Sequence, residues 1–302
     1  MSKLIMMIGL ASSGKSTQAE MLSKKNGAMI YSSDGLRMEL YGTYNDFRDN
    51  DGLFKELHKR IIKKLNEGYD VIYDDANLSM KKRRYFLSLL HKGIEREAVV
   101  VATTVGDCLV RDSKRNKKVG EKVIVDMWKR FQFPLEQEGF DSIQIIYNSE
   151  IHYAINSYNY FRACENFNQD NPNHAYNLFQ HMVIAFYESK EEPYSIRLAL
   201  AYHDVGKLWT KGFKNAKGEP TEIAHYYQHE NVGSYQSMFT IEDSFEWLEE
   251  EIDKLYILQL IQYHMCLYHL KTEKSQKKWR KFLGDAFYED LVTVNKYDRR
   301  SH

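Results

Sequence analysis

The residues with the clearest chemical signature form a loop near the N-terminus. Residues 9–16, GLASSGKS, match the pattern G-x-x-x-x-G-K-[ST], and they follow an apolar run and open a helical pattern, the context that this motif requires. In such a loop, backbone N–H groups face a triphosphate, Lys15 reaches the β- and γ-phosphates, and the Ser16 hydroxyl binds Mg²⁺. The sequence therefore predicts ATP and Mg²⁺ as cofactors, with contacts at Gly9, Ser12, Ser13, Gly14, Lys15, Ser16 and Thr17.

A second group of residues is placed to handle the group that receives the phosphate. Asp34 follows a short predicted strand, and Arg37 comes about one helical turn later. Phosphoryl transfer needs a carboxylate that orients the attacking hydroxyl, which Asp34 could supply. A helix N-cap explains Asp34 about equally well. Asp75 and Asn77 follow the strand-like run VIY, where ligands of open α/β sheets bind, and they are further substrate-binding candidates.

Two arginines further along predict a lid over the nucleotide. Arg111 and Arg115 are four residues apart in a helical pattern and therefore share one face. Taken alone, such a face is more often a solvated, charged surface.

Histidine and aspartate dominate the chemistry of the second half. Nine of the eleven histidines follow residue 150. Any one of them is more often a structural residue than a ligand, but their order, H…HD…H…H…D, is less easily a coincidence. Imidazoles with carboxylates suit Mn²⁺, Fe, Co²⁺ or Ni²⁺ better than an all-oxygen magnesium site does. The candidate metal ligands are His181, His203, Asp204, His229, His264 and Asp298.

Two kinds of element must position these residues. Up to about residue 147, short apolar runs alternate with helical stretches, which predicts a parallel sheet covered on both faces. From Ile151 onward the periodicity is helical. We therefore expect an α/β nucleotide-binding domain, 1–150, followed by an all-α domain, 151–302.

Composition limits the classes of protein that remain. The 302 residues are 43% hydrophobic and 28% charged, which excludes a mainly disordered chain. The formal net charge is zero, unlike that of a strongly basic nucleic-acid-binding protein. Three widely spaced cysteines argue against a disulfide framework, and no apolar run approaches the roughly 20 residues of a membrane span. These features predict a soluble cytoplasmic protein without a membrane partner.

The first half resembles the 5′-hydroxyl polynucleotide kinases of phage end-repair systems. The resemblance rests on GLASSGKS, SDGLR, DDANLS with Arg83 and Arg84, and VRDSKR followed by VG. It implies that Asp34 is the general base, Arg37 contacts a phosphate of the acceptor, and Arg115 stabilises the transferring phosphoryl group, with Arg111 as a second lid candidate. Ser33 and Ala76 depart from the residue types usual in that family. The basic pair Arg83 and Arg84 mildly favours an acceptor that carries phosphate.

The second half resembles the HD phosphohydrolase superfamily, in particular the HD domains appended to bacterial tRNA nucleotidyltransferases. The similar segments are NPNHAYNLFQHM, HDVGK, QHENVG and YHM. The resemblance implies one metal ion at His181, His203, Asp204 and Asp298 and a second at His229, His264 and Asp204. It further implies that Lys207 stabilises developing phosphate charge and that His174 lines the substrate entry.

Three functions fit these patterns. The first is end healing of RNA or DNA: ATP phosphorylates a 5′-hydroxyl, and a metal site hydrolyses a 2′,3′-cyclic, 2′- or 3′-phosphate, leaving ends for an RNA ligase. The second is a nucleoside or metabolite kinase joined to a nucleotide phosphohydrolase. The third is a kinase with a structural or regulatory helical module.

Overall fold

The chain divides into two compact units. A computed structural model describes residues 2–149, 157–172, 175–241 and 253–301. One unit comprises Met1–Met127 with Gln132–Ile151, and the other comprises Trp128–Phe131 with His152–His302. That residues 1–150 and 151–302 fold as separate domains is a proposal, which limited proteolysis would test.

A five-stranded parallel sheet forms the centre of the first unit. Its order is β2-β3-β1-β4-β5, so the strand that carries the phosphate-binding loop is central. The apolar runs form β1, β3 and most of β4, which are buried, whereas β2 is an edge strand that is half-exposed. The strands are β1 Lys3–Ile8, β2 Met29–Ser32, β3 Val71–Asp74, β4 Glu95–Ala102 and β5 Ser142–Tyr147.

The helices of the N-terminal half connect these strands. α3 shows the principle, because Leu53, Leu57, Ile61 and Leu65 repeat every fourth residue and are all buried. The helices are α1 Lys15–Asn26, α2 Ser33–Tyr41, α3 Asn50–Asn66, α4 Met80–Ser88, α5 Val105–Lys114 and α6 Glu121–Lys129, and a 3₁₀ turn spans Glu136–Glu138. The predicted α/β P-loop architecture is confirmed.

The second unit is mostly helical. Its described helices are α7 Ser157–Glu165, α8 Leu178–Glu188, α9 Tyr194–Tyr202, α10 Lys207–Thr210, α11 His229–Ser237, α12 Lys254–Tyr263, α13 Cys266–His269, α14 Glu273–Leu283 and α15 Asp285–Arg300. It also contains an antiparallel hairpin, β6 Gly212–Lys214 with β7 Pro220–His225. The predicted helical second half is confirmed. The hairpin is an addition that could not be predicted, because its short, largely polar strands carry no apolar alternation.

Within the described residues, no helix combines the length and the apolar character needed to cross a bilayer.

Candidate active sites

The phosphate-binding loop lies between β1 and α1, as the motif predicts. Its first glycine is tied to the neighbouring strand end, because Gly9 N donates to Ala76 O at 3.1 Å. Gly14 has φ +90°, and a Cβ there would lie 2.2 Å from Asn148 Nδ2. Only glycine therefore fits at this position without strain.

Lys15 and Ser13 present polar groups suited to phosphate. Lys15 Nζ donates to Leu10 O at 2.6 Å, and burial lowers the pKa of its ammonium. Ser13 Oγ is buried and has no hydrogen-bond partner among the described residues. A buried hydroxyl without a partner is costly, and an anion in the loop would relieve that cost. The loop therefore fits the triphosphate of ATP.

Asp74, which the sequence analysis did not single out, is the carboxylate paired with the loop. The substrate-binding candidate Asp75 follows it and lines the same cavity. Asp74 ends β3, is buried, and accepts a hydrogen bond from the Ser16 side chain. Burial raises the pKa of Asp74. A P-loop serine beside a strand-end aspartate is the usual magnesium-holding pair of P-loop enzymes, so Ser16 and Asp74 fit Mg²⁺. The sequence signal was two consecutive carboxylates after a strand, which does not say which of the two faces the loop.

Asp34 lies in the first turn of α2 but does not cap it. Ser32 takes that role and accepts from Gly35 N at 3.0 Å. The Asp34 carboxylate instead lies between two cations, 3.2 Å from an Arg37 nitrogen and 2.9 Å from Lys117 Nζ. The capping alternative is therefore wrong, and Lys117 is a site residue that the sequence analysis missed.

Arg37 is less accessible than an acceptor contact would suggest. Its side chain is buried, donates to Asn50 Oδ1 at 3.0 Å, and lies against the ring of Phe47. Its Nε is buried without a hydrogen-bond partner among the described residues. Asn77, another predicted contact to the acceptor, also forms a hydrogen bond within the protein: its Nδ2 donates to Met7 O at 2.9 Å.

Of the basic pair Arg83 and Arg84, Arg83 is not available to a phosphate-bearing acceptor. Arg83 is fully buried and forms a doubly hydrogen-bonded ion pair with Glu138, at 2.7 and 2.8 Å. It also donates to the carbonyls of Asn77, Leu78, Gln132 and Phe133. This arginine therefore joins α4 to the segment after α6.

We call residues 115–120 the lid segment, which follows α5. Asp112 fixes this segment by accepting the N–H groups of Val119 and Gly120, and it also accepts the Ser12 hydroxyl. Burial raises the pKa of Asp112, but these donors hold it below its ordinary value. Arg115 lies past the helix end with extended backbone, so it does not share a helical face with Arg111 as predicted.

Both predicted lid arginines nevertheless reach the phosphate-binding loop. Arg115 Nη1 donates to Ser12 Oγ at 3.1 Å, and Arg111 donates to Ser13 O at 3.3 Å. A cavity of about 450 Å³ lies between the loop and the lid segment. Its lining includes Ser12, Gly14, Lys15, Ser16, Thr17, Asp34, Asp74, Asp75, Arg111, Arg115 and Lys117.

The second unit brings all six candidate metal ligands into one buried cluster, which we call the His–Asp cluster. Its members form two groups of three whose ligand atoms lie within 4.8 Å of one another. Asp204 connects the groups: its Oδ2 is 3.2 Å from His181 Nε2, and its Oδ1 is 3.1 Å from His229 Nε2. The groups are His181 with His203 and Asp298, and Asp204 with His229 and His264.

Backbone carbonyls orient all four imidazoles of the cluster. The Nδ1 atoms of His203, His229 and His264 lie 2.6–2.7 Å from the carbonyl oxygens of Leu200, Tyr226 and Ile261, each three residues earlier. His181 Nδ1 lies 3.0 Å from Ser301 O. When each ring is neutral with its proton on Nδ1, its Nε2 lone pair is directed inward, which is how metal-binding histidines are usually oriented. The cluster therefore fits divalent transition-metal ions.

Lys207 contributes a positive charge to the cluster. Its Nζ lies 2.6 Å from Asp204 Oδ2 and donates to Gln169 Oε1 at 2.9 Å. Burial would raise the pKa of Asp204, but Lys207 and the adjacent imidazoles hold it well below its ordinary value. Gln169 was not predicted, and it also lines a cavity of about 300 Å³ formed by residues 165–171 and 175–177. His174 lies outside the described residues.

The pKa values of two of the imidazoles are shifted in opposite directions. Burial lowers the pKa of His264 to about 3, so this ring is neutral as a metal ligand must be. Burial also opposes a charge on His181, but hydrogen bonds with Asp204 and Asp298 raise its pKa to about 9.

The parallel sheet, the loop and the Ser16–Asp74 pair define the first unit as a P-loop kinase domain, and such a domain acts with ATP and Mg²⁺. Residues 4–134 match the family model described as an AAA domain. Among curated proteins, none has a sequence that matches this chain.

Several solved structures are similar to part of the chain. A gluconokinase from Sinorhizobium meliloti 1021 is 14% identical, with a TM-score of 0.37 over 48% of this chain and 82% of its own. The Pnkp1/Rnl/Hen1 RNA repair complex contains a chain that is 20% identical, with a TM-score of 0.40 over 46% of each chain. A deoxyadenosine kinase from M. mycoides is 17% identical, with a TM-score of 0.30 over 47% of this chain and 88% of its own.

Proposed function

We propose that this protein heals nucleic-acid ends, with RNA, including tRNA, as the favoured substrate. The first unit transfers a phosphoryl group from ATP to a 5′-hydroxyl. The second unit hydrolyses a 2′,3′-cyclic, 2′- or 3′-phosphate. The observation that carries this proposal is the presence, in one chain, of a P-loop kinase cavity and a buried cluster of imidazoles and carboxylates with an ammonium.

The kinase step assigns distinct roles to the residues of the cavity. ATP with Mg²⁺ supplies the phosphoryl group when bound. Asp34 Oδ accepts the proton of the attacking 5′-hydroxyl, since it is the carboxylate of α2 that lines the cavity. Lys15 and Arg115 neutralise charge on the transferring group. Ser16 and Asp74 hold the cation, while Asp112 keeps the lid segment in place through Val119 and Gly120.

The hydrolytic step uses the His–Asp cluster. Divalent ions such as Mn²⁺, Ni²⁺ or Co²⁺ supply Lewis acidity and an activated water when bound. The four imidazoles and the carboxylates of Asp204 and Asp298 hold them, and the Nδ1 contacts with backbone carbonyls fix the ring orientations. Lys207 is placed to stabilise negative charge that develops on the phosphate.

The two activities have complementary products. Nucleases that cut RNA without water leave a 2′,3′-cyclic phosphate on one end and a 5′-hydroxyl on the other. Healing both gives a 3′-hydroxyl and a 5′-phosphate, the pair of ends that a ligase joins. An RNA ligase is therefore the class of enzyme that consumes the product, and we propose it as a functional partner.

The test uses a 5′-hydroxyl oligoribonucleotide with a 2′,3′-cyclic phosphate, beside a free nucleoside at equal concentration. We expect ATP-dependent phosphorylation of the oligonucleotide, with far lower activity on the nucleoside, and metal-dependent loss of the cyclic phosphate. Equal activity on both acceptors would instead support the metabolite-kinase alternative. Kinase activity without any phosphoester hydrolysis in the presence of Mn²⁺, Ni²⁺ or Co²⁺ would support a structural or regulatory second unit.

A further inference from the structure

Two exposed aromatic rings lie beside the two cations that hold Asp34. The Phe47 ring centroid is 4.6 Å from the Arg37 guanidinium carbon, and the Tyr44 ring centroid is 4.4 Å from Lys117 Nζ. Phe47 is 57% exposed and Tyr44 is 39% exposed. Each ring therefore contacts a cation that itself contacts Asp34, the proposed general base, and both rings are exposed to solvent.

Local bonds hold the segment that carries these rings, residues 42–49 between α2 and α3. Gly42 ends α2 in a left-handed conformation, and Asp49 caps α3 by accepting from Gly52 N at 2.8 Å. Between them, Thr43 Oγ1 accepts from Asn45 N, and Asp46 pairs with Arg48. The rings are thus presented by a short, internally bonded connection.

The combination of rings and cations is specific in its chemistry. A cation beside an exposed ring binds a phosphate and a stacked base together, which is the usual way in which proteins grip single-stranded nucleic acid. A nucleoside offers a base for such a ring but no adjoining phosphate for the cation, whereas an oligonucleotide offers both. Lys117 and Asp34 line the kinase cavity, and the Tyr44 ring lies against Lys117.

We infer that Tyr44 and Phe47 form a stacking platform for the nucleobases at the 5′ end of the acceptor strand. This inference rests on the proposed polynucleotide kinase activity and adds a binding subsite to it. The platform makes kinase efficiency depend on a base being present, in addition to the hydroxyl and the phosphate.

The experiment compares two 5′-hydroxyl trinucleotides, one normal and one in which the first two residues are abasic, at saturating ATP and Mg²⁺. Tyr44→Leu and Phe47→Leu keep bulk but remove the rings, while Tyr44→Phe and Phe47→Tyr keep them. Tyr69→Leu is the matched control, since Tyr69 is also an exposed ring beside a lysine, but Lys64 pairs with Glu67 and not with Asp34. Lys117→Gln should weaken both acceptors, because Lys117 lines the kinase cavity and both acceptors carry phosphate.

Wild-type protein should bind the normal acceptor with a lower KM than the abasic one. The leucine variants should raise the KM for the normal acceptor by about 10-fold to 100-fold, in line with the loss of base stacking, and change the KM for the abasic acceptor by less than about 3-fold. Variants that keep the rings, and Tyr69→Leu, should resemble the wild type.

Equal losses on both acceptors would show that the rings act only by positioning Arg37 and Lys117, and would overturn the inference. Unchanged KM values in both leucine variants would do the same. If the wild-type protein phosphorylates neither acceptor, the polynucleotide kinase proposal itself fails, and the platform fails with it.

Discussion

The ammonium of Lys207 lies 2.6 Å from Asp204 Oδ2, the carboxylate oxygen that also faces His181. A cation at this position can interact with the negative charge that develops on the phosphate during hydrolysis. We therefore expect Lys207 to stabilise the transition state more than the bound substrate. We expect Lys207→Met to lower kcat for phosphoester hydrolysis by about 100-fold to 1,000-fold, the effect of removing one oxyanion donor.

Bound metal, measured by elemental analysis, should stay near the wild-type content in Lys207→Met. The matched control is Lys211→Met, because Lys211 pairs with Asp170 and lies outside the cluster. Loss of metal together with activity would show that Lys207 acts on the metal site rather than on the substrate.

The two activities should separate by mutation. The kinase cavity and the His–Asp cluster share no residue. Lys15→Ala should abolish 5′-phosphorylation and leave hydrolysis intact, whereas Asp204→Asn should abolish hydrolysis and leave phosphorylation intact. Both reactions would be followed on the same 5′-hydroxyl, cyclic-phosphate oligonucleotide, with circular dichroism as the check on folding. A folded Asp204→Asn protein without kinase activity would contradict independent sites.

Metal preference should also differ between the activities. Mg²⁺ prefers oxygen ligands, as at Ser16 and Asp74, whereas four imidazoles favour transition metals. After treatment with a chelator, Mg²⁺ alone should restore phosphorylation, and hydrolysis should require Mn²⁺, Co²⁺ or Ni²⁺. A transition metal at 100 times its Kd should also stabilise the protein by about 2.7 kcal/mol in thermal denaturation.

Full hydrolysis in Mg²⁺ after rigorous removal of transition metals would count against the ligand set. His229→Ala provides the control, because it removes one ligand and should abolish the stabilisation by metal.

Gly206 is required for the position of His229. A Cβ at residue 206 would lie 2.0 Å from His229 O and 2.5 Å from Gly233 N, so the two segments must separate. Gly206→Ala should lower the free energy of unfolding by about 1–3 kcal/mol or more and reduce metal binding. In Gly212→Ala, the nearest heavy atom is 4.0 Å away, and neither property should change appreciably. Urea denaturation and metal titration measure both.

Breaking the buried ion pair of Arg83 should destabilise the first unit. Both side chains are fully buried, so Glu138→Gln leaves an uncompensated charge in the interior. We expect a loss of about 3–5 kcal/mol in the free energy of unfolding. The control Glu273→Gln breaks a solvent-exposed i,i+4 pair with Lys277 and should cost below about 1 kcal/mol. Comparable midpoints of urea denaturation for the two variants would contradict the burial argument.

The sequence by itself determined the parts of the protein whose chemistry is local. The phosphate-binding loop is one of them, because consecutive residues between β1 and α1 carry the motif, and its context could be recognised from an apolar run and a helical pattern. The α/β class followed for the same reason. The hairpin β6–β7 could not be predicted, because strand pairing is a contact between segments and their polar residues leave no pattern along the chain.

Only the tertiary structure decided which side chains meet. Asp74 and Asp75 are equivalent as neighbours in sequence, but the strand end directs the first to Ser16. An arginine at position 83 would suit a contact with a phosphate-bearing substrate, but the structure shows that Arg83 is a buried partner of Glu138. The order of histidines in the second half indicated which residues could bind metal. The inward direction of each Nε2 atom, however, depends on contacts with backbone carbonyls and on the packing of separate helices. Distances between residues far apart in the chain follow from tertiary packing, and the spacing of residues along the sequence does not determine that packing.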